Sequence, residues 1–176
     1  RLQPIENQYS LKPFVLAEHD GRWNAESTIL KRWKCKNVPL LKTSKKPFVW
    51  VGGVDSSEVC QQLIDNIIKV ASSGSTVLVE SIGGRGHFAL AVQKKLAKQI
   101  SVIVEPDINL QRFTGRRAWS IRNRSNLPLP LSASIGKGSV LFIDCDLRNA
   151  LLGHPAWGVH GYSSQAANEL LQYVLC

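Results

Sequence analysis

The strongest constraint on this chain is an alternation that runs from residue 47 to residue 105. FVWVGGV (48–54) is β-branched and aromatic, the make-up of a buried strand, and Gly52-Gly53 reads as its stop. Asp55-Ser56-Ser57-Glu58 follows, and its hydroxyls and carboxylates can accept from the orphan N–H groups of a first helical turn. Apolar residues then recur at Val59, Cys60, Leu63, Ile64, Ile67 and Val70/Ala71, the spacing of one helical face. SSGS (72–75) closes that helix. TVLVE (76–80) reads as a second strand, SIGGRGH (81–87) as a break, and FALAVQKKLAKQ (88–99) as a second helix set by Phe88, Ala91/Val92 and Lys95/Leu96. SVIVE (101–105) reads as a third strand. Strands that alternate with helices at this spacing pair in parallel through right-handed crossovers, so an α/β layered fold with parallel βαβ units is expected.

The flanks are less regular. Residues 1–46 are broken by Pro4, Pro13 and Pro39 and hold the basic stretch LKRWKCK (30–36). They read as a basic N-terminal arm with one short helix over 24–34, docked by Trp23 and Trp33. Residues 47–176 form the α/β domain. Within it, residues 106–131 break the rhythm and carry Arg112, Arg116, Arg117, Arg122 and Arg124 against a single acid, Asp107. They are expected to be an inserted loop or hairpin. SVLFIDCD (139–146) reads as a buried strand, WGV (157–159) as a short one, and SSQAANELLQYVL (163–175) as a closing helix capped by Ser163 or Ser164.

Composition narrows the function classes. With 176 residues, 44% of them hydrophobic, the chain can build one real core and is not a disordered polymer. No apolar run reaches membrane-spanning length. The net charge of +9 fits a basic surface or a polyanion partner. The five arginines of 106–131, interleaved with Trp119, are the candidate anion-binding set, nucleic acid included. The four cysteines form no CxxC and no ligand spacing with histidine, so neither a metal nor a cofactor is expected. Cys60 and Cys145 fall on apolar faces and read as buried thiols. The chain opens on Arg1 and holds no Met, as expected of a trimmed, processed or excised piece. Secreted, periplasmic and cytoplasmic settings all stay open.

The cluster Gly83-Gly84-Arg85-Gly86 between strand and helix admits several readings. A glycine turn at a helix N-terminus favours anions, and Glu105 ends the next strand, where a ribose-binding acid would sit. That is the reading of a Rossmann-like nucleotide- or S-adenosylmethionine-binding enzyme. However, the cluster is neither GxGxxG nor GxxxxGK[ST]. Glycines after a strand can also serve a tight turn alone. His87, beside the turn, can face the same cleft or solvent, with solvent the favoured reading, and His19 and His154 carry no pattern.

A third reading draws on more of the chain. Residues 46–104, with Val51-Gly52-Gly53-Val54-Asp55, a helix over 57–71, Ser81-Ile82-Gly83-Gly84 and Ala89-Leu90-Ala91, resemble the Clp protease proteolytic subunit and its relatives in the ClpP/crotonase superfamily. Ile82 stands where that family usually has proline. SASIGKGSVLFI (132–143) resembles the family's nucleophile segment, which leads into a helix. WGVHGY (157–162) resembles the strand that carries its histidine. The resemblance implies a ClpP/crotonase-like layered fold and a serine peptidase acting on polypeptide. Ser134 would be the nucleophile, His160 the base, and Gly83, Gly84 and Ile135 the oxyanion hole. Self-association is implied in the same way.

The chemistry is coherent. Serine needs an adjacent base, histidine suits that role near neutrality, and the tetrahedral oxyanion needs fixed N–H donors. The third triad acid is the weak point. Glu169 is the sole acid after His160, and the substitutes upstream are Asp144, Asp146 and Glu80. A non-catalytic relative used as a scaffold or binding module is the alternative. A Ser–Lys dyad is disfavoured, since no lysine follows Lys137.

Overall fold

The computed structural model describes residues 14–18, 36–37, 48–114, 128–152 and 161–175. Within them lies one seven-stranded sheet of order β2-β1-β3-β4-β7-β6-β5. Its strands are β1 (Phe14–Glu18), β2 (Lys36–Asn37), β3 (Phe48–Asp55), β4 (Thr76–Gly86), β5 (Glu105–Pro106), β6 (Leu131–Ile135) and β7 (Gly138–Ile143). The α-helices are α1 (Gln61–Ser72), α2 (Phe88–Ile100), α3 (Ile108–Thr114), α4 (Arg148–Leu152) and α5 (Ser164–Leu175), and Ser56–Glu58 forms a separate 3-10 turn capped by Asp55. The expected α/β class is observed. β1, β3, β4 and β7 are parallel neighbours, while β5 and β6 complete one edge antiparallel.

Alternation along the strands sorts the core into two layers, because successive side chains leave a strand on opposite faces. Val49, Val51, Val77, Val79, Val140 and Phe142 pack under Leu63, Ile64 and Ile67 of α1 and Phe88, Val92 and Leu96 of α2. On the other face, Trp50, Leu78, Leu141 and Ile143 pack under Leu147 and Leu151 and under Leu170 and Leu171 of α5. Ser163 Oγ accepts from Ala166 N at the start of α5, the expected cap.

Several expectations are corrected. The N-terminal segment is not only an arm: β1 pairs with β3 from Phe14↔Phe48 to Glu18↔Gly52, and β2 pairs with β1. The helix expected over 24–34, with Trp23 and Trp33, lies outside the described residues, as does the short strand over 157–159. Gly52-Gly53 does not end β3, which continues to Asp55. The two glycines make room instead: a Cβ on Gly52 would overlap the Arg148 guanidinium, and one on Gly53 the Phe88 ring. Residues 101–104 are not a strand; Ser101 turns the chain in the left-handed region (φ 49°), and β5 is two residues long. The region 106–131 starts with β5 and α3, not with a loop. Cys60 is exposed, whereas Cys145 is buried as expected.

Candidate functional site

Parallel α/β sheets gather ligand-binding groups beyond the carboxyl ends of their strands. Here β4 and β7 end side by side, paired through Glu80↔Ile143, and each runs straight from an apolar run into acids. Glu80 and Ser81 close the regular part of β4, and Asp144 and Asp146 come directly after β7. Asp144 bridges two partners. Its Oδ1 accepts from Ser81 Oγ at 2.6 Å, and its Oδ2 lies 2.8 Å from His87 Nδ1. Ser81 Oγ in turn accepts from Ala89 N in the first turn of α2, at 2.8 Å.

A carboxylate only accepts, so His87 Nδ1 carries the hydrogen, and in the neutral imidazole Nε2 is the nitrogen with the lone pair. The His87 side chain is 65% exposed and that of Asp144 14%, so the acid is sheltered and the imidazole reaches solvent. His87 holds this pose from the left-handed region (φ 56°), as the residue that caps α2. Such a backbone is uncommon outside glycine, although histidine is enriched there.

The glycine turn sits beside this pair. Gly83 and Gly84 both have positive φ, 76° and 66°, which suits residues without a Cβ. Gly83 N donates to Asp146 Oδ2 at 2.5 Å, and among the described residues, its chain neighbours aside, no atom lies within 4 Å of where a Gly83 Cβ would project. Asp146 is held further by Asn149 N at 2.7 Å and Asn149 Nδ2 at 2.9 Å. Burial raises the Asp146 carboxyl above its usual range, while the Gly83 and Asn149 bonds and Arg148 pull it down.

Behind these groups is a buried ionic layer. Glu80 accepts from Trp50 Nε1 (2.7 Å), Leu147 N (2.6 Å), Arg148 N (3.0 Å) and Arg148 Nε (3.0 Å). Both side chains of the Glu80–Arg148 ion pair are fully buried, and the guanidinium lies over the Trp50 ring, 5.3 Å from its centroid. Burial pushes the Glu80 carboxyl up to about 7, against the pull of Arg148 and the two backbone N–H groups. This cluster ties β3, β4 and α4 together and fixes where β7 delivers Asp144 and Asp146. Burial also pushes the Cys145 thiol up, which leaves it unreactive.

The residues singled out from the sequence are distributed differently. Ser134 pairs with Ser139 in the β6–β7 hairpin, and Ser139 pairs with Thr76, the first residue of β4. Gly83 lies seven residues beyond Thr76 on β4, on the order of 20 Å along the strand. Ser134 and Ile135 therefore sit at the amino edge of the parallel strands, opposite Gly83 and Gly84, and the structure does not bring them into one oxyanion hole. The cause is local. Gly136-Lys137 makes a two-residue hairpin turn, with Gly136 at φ 60°, and the chain after Ser134 folds back as strand β7 instead of entering a helix. Ile135 is buried. The proposed base, His160, lies outside the described residues. Glu169 sits on α5 and accepts from Gln165.

Of the candidate anion-binding arginines, Arg112 is on α3, with its guanidinium 4.4 Å from the Tyr173 ring centroid. Arg116, Arg117, Arg122 and Arg124 lie outside the described residues, as does Trp119. Glu105 cannot serve a nucleotide at the glycine turn, because β6 and β7 separate β5 from β4. Among the described residues no group of three or more His, Cys, Asp and Glu is arranged to hold a metal, and no helix is long and apolar enough to cross a membrane.

Sequence reasoning places His87 in solvent, which its 65% exposure bears out, but gives it no role, and it treats Asp144, Asp146 and Glu80 only as stand-ins for a missing triad acid. A usable signal is present, since TVLVES and LFIDCD both pass from apolar strand to acid at the edge where α/β sheets bind ligands. Comparison with known protein families, curated proteins and solved structures finds no match.

Proposed function

We propose that this chain is a hydrolytic α/β domain whose working group is His87, oriented by Asp144, at the carboxyl edge of β4 and β7. The observation that carries the reading is the double bridge of Asp144 to Ser81 and His87. It fixes the tautomer and leaves Nε2 as a basic lone pair in solvent. That is the arrangement a general base needs, with an acid behind the imidazole to stabilise the imidazolium.

Ser81 cannot be the nucleophile, because it is buried and bonded to the acid rather than to the histidine. Water is the attacking group. His87 Nε2 takes a proton as the water oxygen bonds to an acyl carbon, then returns it to the departing alkoxide. The substrate class is therefore a carboxylic ester. The Gly83-Gly84 turn lets the substrate approach its backbone closely, and exposed Arg85 on the same turn places a cation near the developing oxyanion.

The test is hydrolysis of a p-nitrophenyl ester series. His87→Ala is expected to lower kcat/KM by about 10²–10⁴-fold, and Asp144→Asn by up to about 10⁴-fold, since the amide supports the wrong tautomer. Ser134→Ala should leave the rate unchanged. If the wild type turns over no ester, or if Ser134→Ala rather than His87→Ala abolishes turnover, this reading is wrong.

A further inference from the structure

The opposite end of the sheet holds a separate feature. A groove of about 620 Å³ runs between residues 100–105 and β6, lined by Ile100, Val102, Ile103, Glu105, Ser134 and Ile135 among others. Its volume falls within the range of ligand pockets, about 300–1,000 Å³. The groove is a parted strand pair. β5 pairs with β6 only at Glu105↔Ser132 and Pro106↔Leu131. Continuing that register would set residues 101–104 against 133–136, but the segment there is not a strand.

The main chain of β6 faces this gap. Ile135↔Gly138 closes the two-residue turn, so Ser134↔Ser139 is the next, non-hydrogen-bonded pair of the hairpin, and both residues point their N–H and C=O groups away from each other. Ser139 N accordingly donates outward, to Ser75 O at 3.2 Å. Ser134 must point its own N–H and C=O into the groove, where no strand among the described residues pairs with it. Across the gap Ile103 is 74% exposed, although it lies between half-buried Val102 and Val104. Pro106 blocks the outer side of β5, which leaves the inner gap as the place where a strand can add.

We propose that this groove binds an extended peptide segment of a partner protein by strand addition to β6, antiparallel to it. The charges at the two ends select the occupant. Exposed Glu105 lines the groove at the Ser132 end, and exposed Lys137, in the turn that follows Ile135, stands just outside its other end. An antiparallel peptide enters beside Lys137 and leaves beside Glu105, so it carries an acidic residue first and a basic residue last. Apolar side chains between them meet Ile103 and Val102. Main-chain bonds supply the affinity and the alternating side chains the selectivity. The site is independent of the His87 reading.

The probe is the labelled peptide acetyl-Asp-Val-Thr-Val-Lys-amide, followed by fluorescence polarisation and by amide hydrogen exchange on the protein. Saturable binding below about 1 mM is expected, with the Ser134 amide exchanging fast in the free protein and protected in the complex. Ser134→Ala should bind as the wild type does, because the main chain makes the contact. Ser134→Pro should bind on the order of tenfold more weakly. Its missing N–H is not part of the β6–β7 ladder, and the circular dichroism spectrum checks that it folds. Ile103→Glu should also weaken binding. Equal or tighter binding of the charge-reversed peptide acetyl-Lys-Val-Thr-Val-Asp-amide overturns the proposal. So do Ser134 protection in the free protein that rises with its concentration, the mark of a second copy in the groove, and the absence of protection at saturating peptide.

Discussion

Replacing Arg148 by Met tests the buried ionic layer, and its signature is a change in how stability depends on pH. Glu80 is raised to about 7 from an ordinary value of 4.5, mainly by burial. In the folded state it keeps a proton over a range where the unfolded chain has lost one. Wild-type stability therefore falls as pH rises from about 4.5 to about 7 and levels off above that, with a slope from this group of at most about 1.4 kcal/mol per pH unit. Asp146 is also raised by burial and adds a contribution of the same sign above its ordinary value.

Arg148 is the strongest influence holding Glu80 down. Without it the Glu80 value rises further, so the decline in stability does not stop near 7. Between pH 7 and 8.5 the gap between variant and wild type should widen by up to about 2 kcal/mol. The limiting cost is that of an unpaired buried charge, roughly 3–5 kcal/mol. Loss of the guanidinium's packing over Trp50 adds a constant offset. Urea unfolding at pH 5.5, 7.0 and 8.5 reads the gap directly, and in the double variant Glu80→Gln/Arg148→Met the widening should shrink to what Asp146, which Arg148 also holds down, contributes. A gap that is constant or shrinks across that range would refute the reasoning, because Glu80 would then not be the group Arg148 compensates.

Three further outcomes are expected. Phe88→Ala removes a fully buried ring of α2 that packs against Gly53 of β3, and should cost roughly 3–5 kcal/mol by chemical denaturation. Thiol titration with a water-soluble disulfide reagent should label Cys60 in the folded protein and Cys145 only after unfolding; native labelling of Cys145 would contradict its burial. Asp55 and Asp65 titrate below the usual carboxylate range, Asp55 mainly through the Ser57 N–H and Asp65 through Gln99 and Gln61. Their stabilisation is present above the unfolded value and lost as pH falls through the lowered one, which carboxyl-carbon NMR shifts would track residue by residue.

The parts of the fold visible in the sequence are those whose information is local. The apolar periods of 61–72 and 88–100 and the β-branched runs at 48, 76 and 139 each specify an element within a dozen residues. β1 escapes a sequence reading because FVLAE (14–18) comes after Pro13 inside a mixed segment, and its partner strand begins some thirty residues later at Phe48. Nothing near it announces that pairing. SVIVE has strand composition throughout, yet Ser101 turns the chain in the left-handed region, and of its residues only Glu105 reaches the ladder, joined there by Pro106. Gly52-Gly53 misleads for a similar reason. The groups these glycines accommodate, Arg148 and Phe88, arrive from far along the chain. The candidate site fails on the same principle. Likeness of a short segment makes Ser134 a nucleophile, whereas the two-residue turn at Gly136-Lys137, visible in the sequence, already argues for a hairpin.

The glycine cluster is therefore best understood through its neighbours on β7 rather than through its own spacing. Gly83 gives its N–H to Asp146, and Ser81 gives its hydroxyl to Asp144 while receiving Ala89 N from α2. The two acids beyond β7 thus hold the two ends of the bend that leads into α2, and one of them also sets His87. Asp146 and Glu80 share Arg148 behind that bend. The ionic layer connects to His87 through residues 144–148: Glu80 holds Leu147 N and Arg148 N, and Asp144 bonds His87. This coupling separates the two sites by physics as well as by distance. Arg148→Met should disturb the ester chemistry proposed for His87 while leaving strand addition at β6 intact, because the groove lies at the far end of β7, where Ser134, Ser139 and Thr76 meet and no member of the ionic layer reaches.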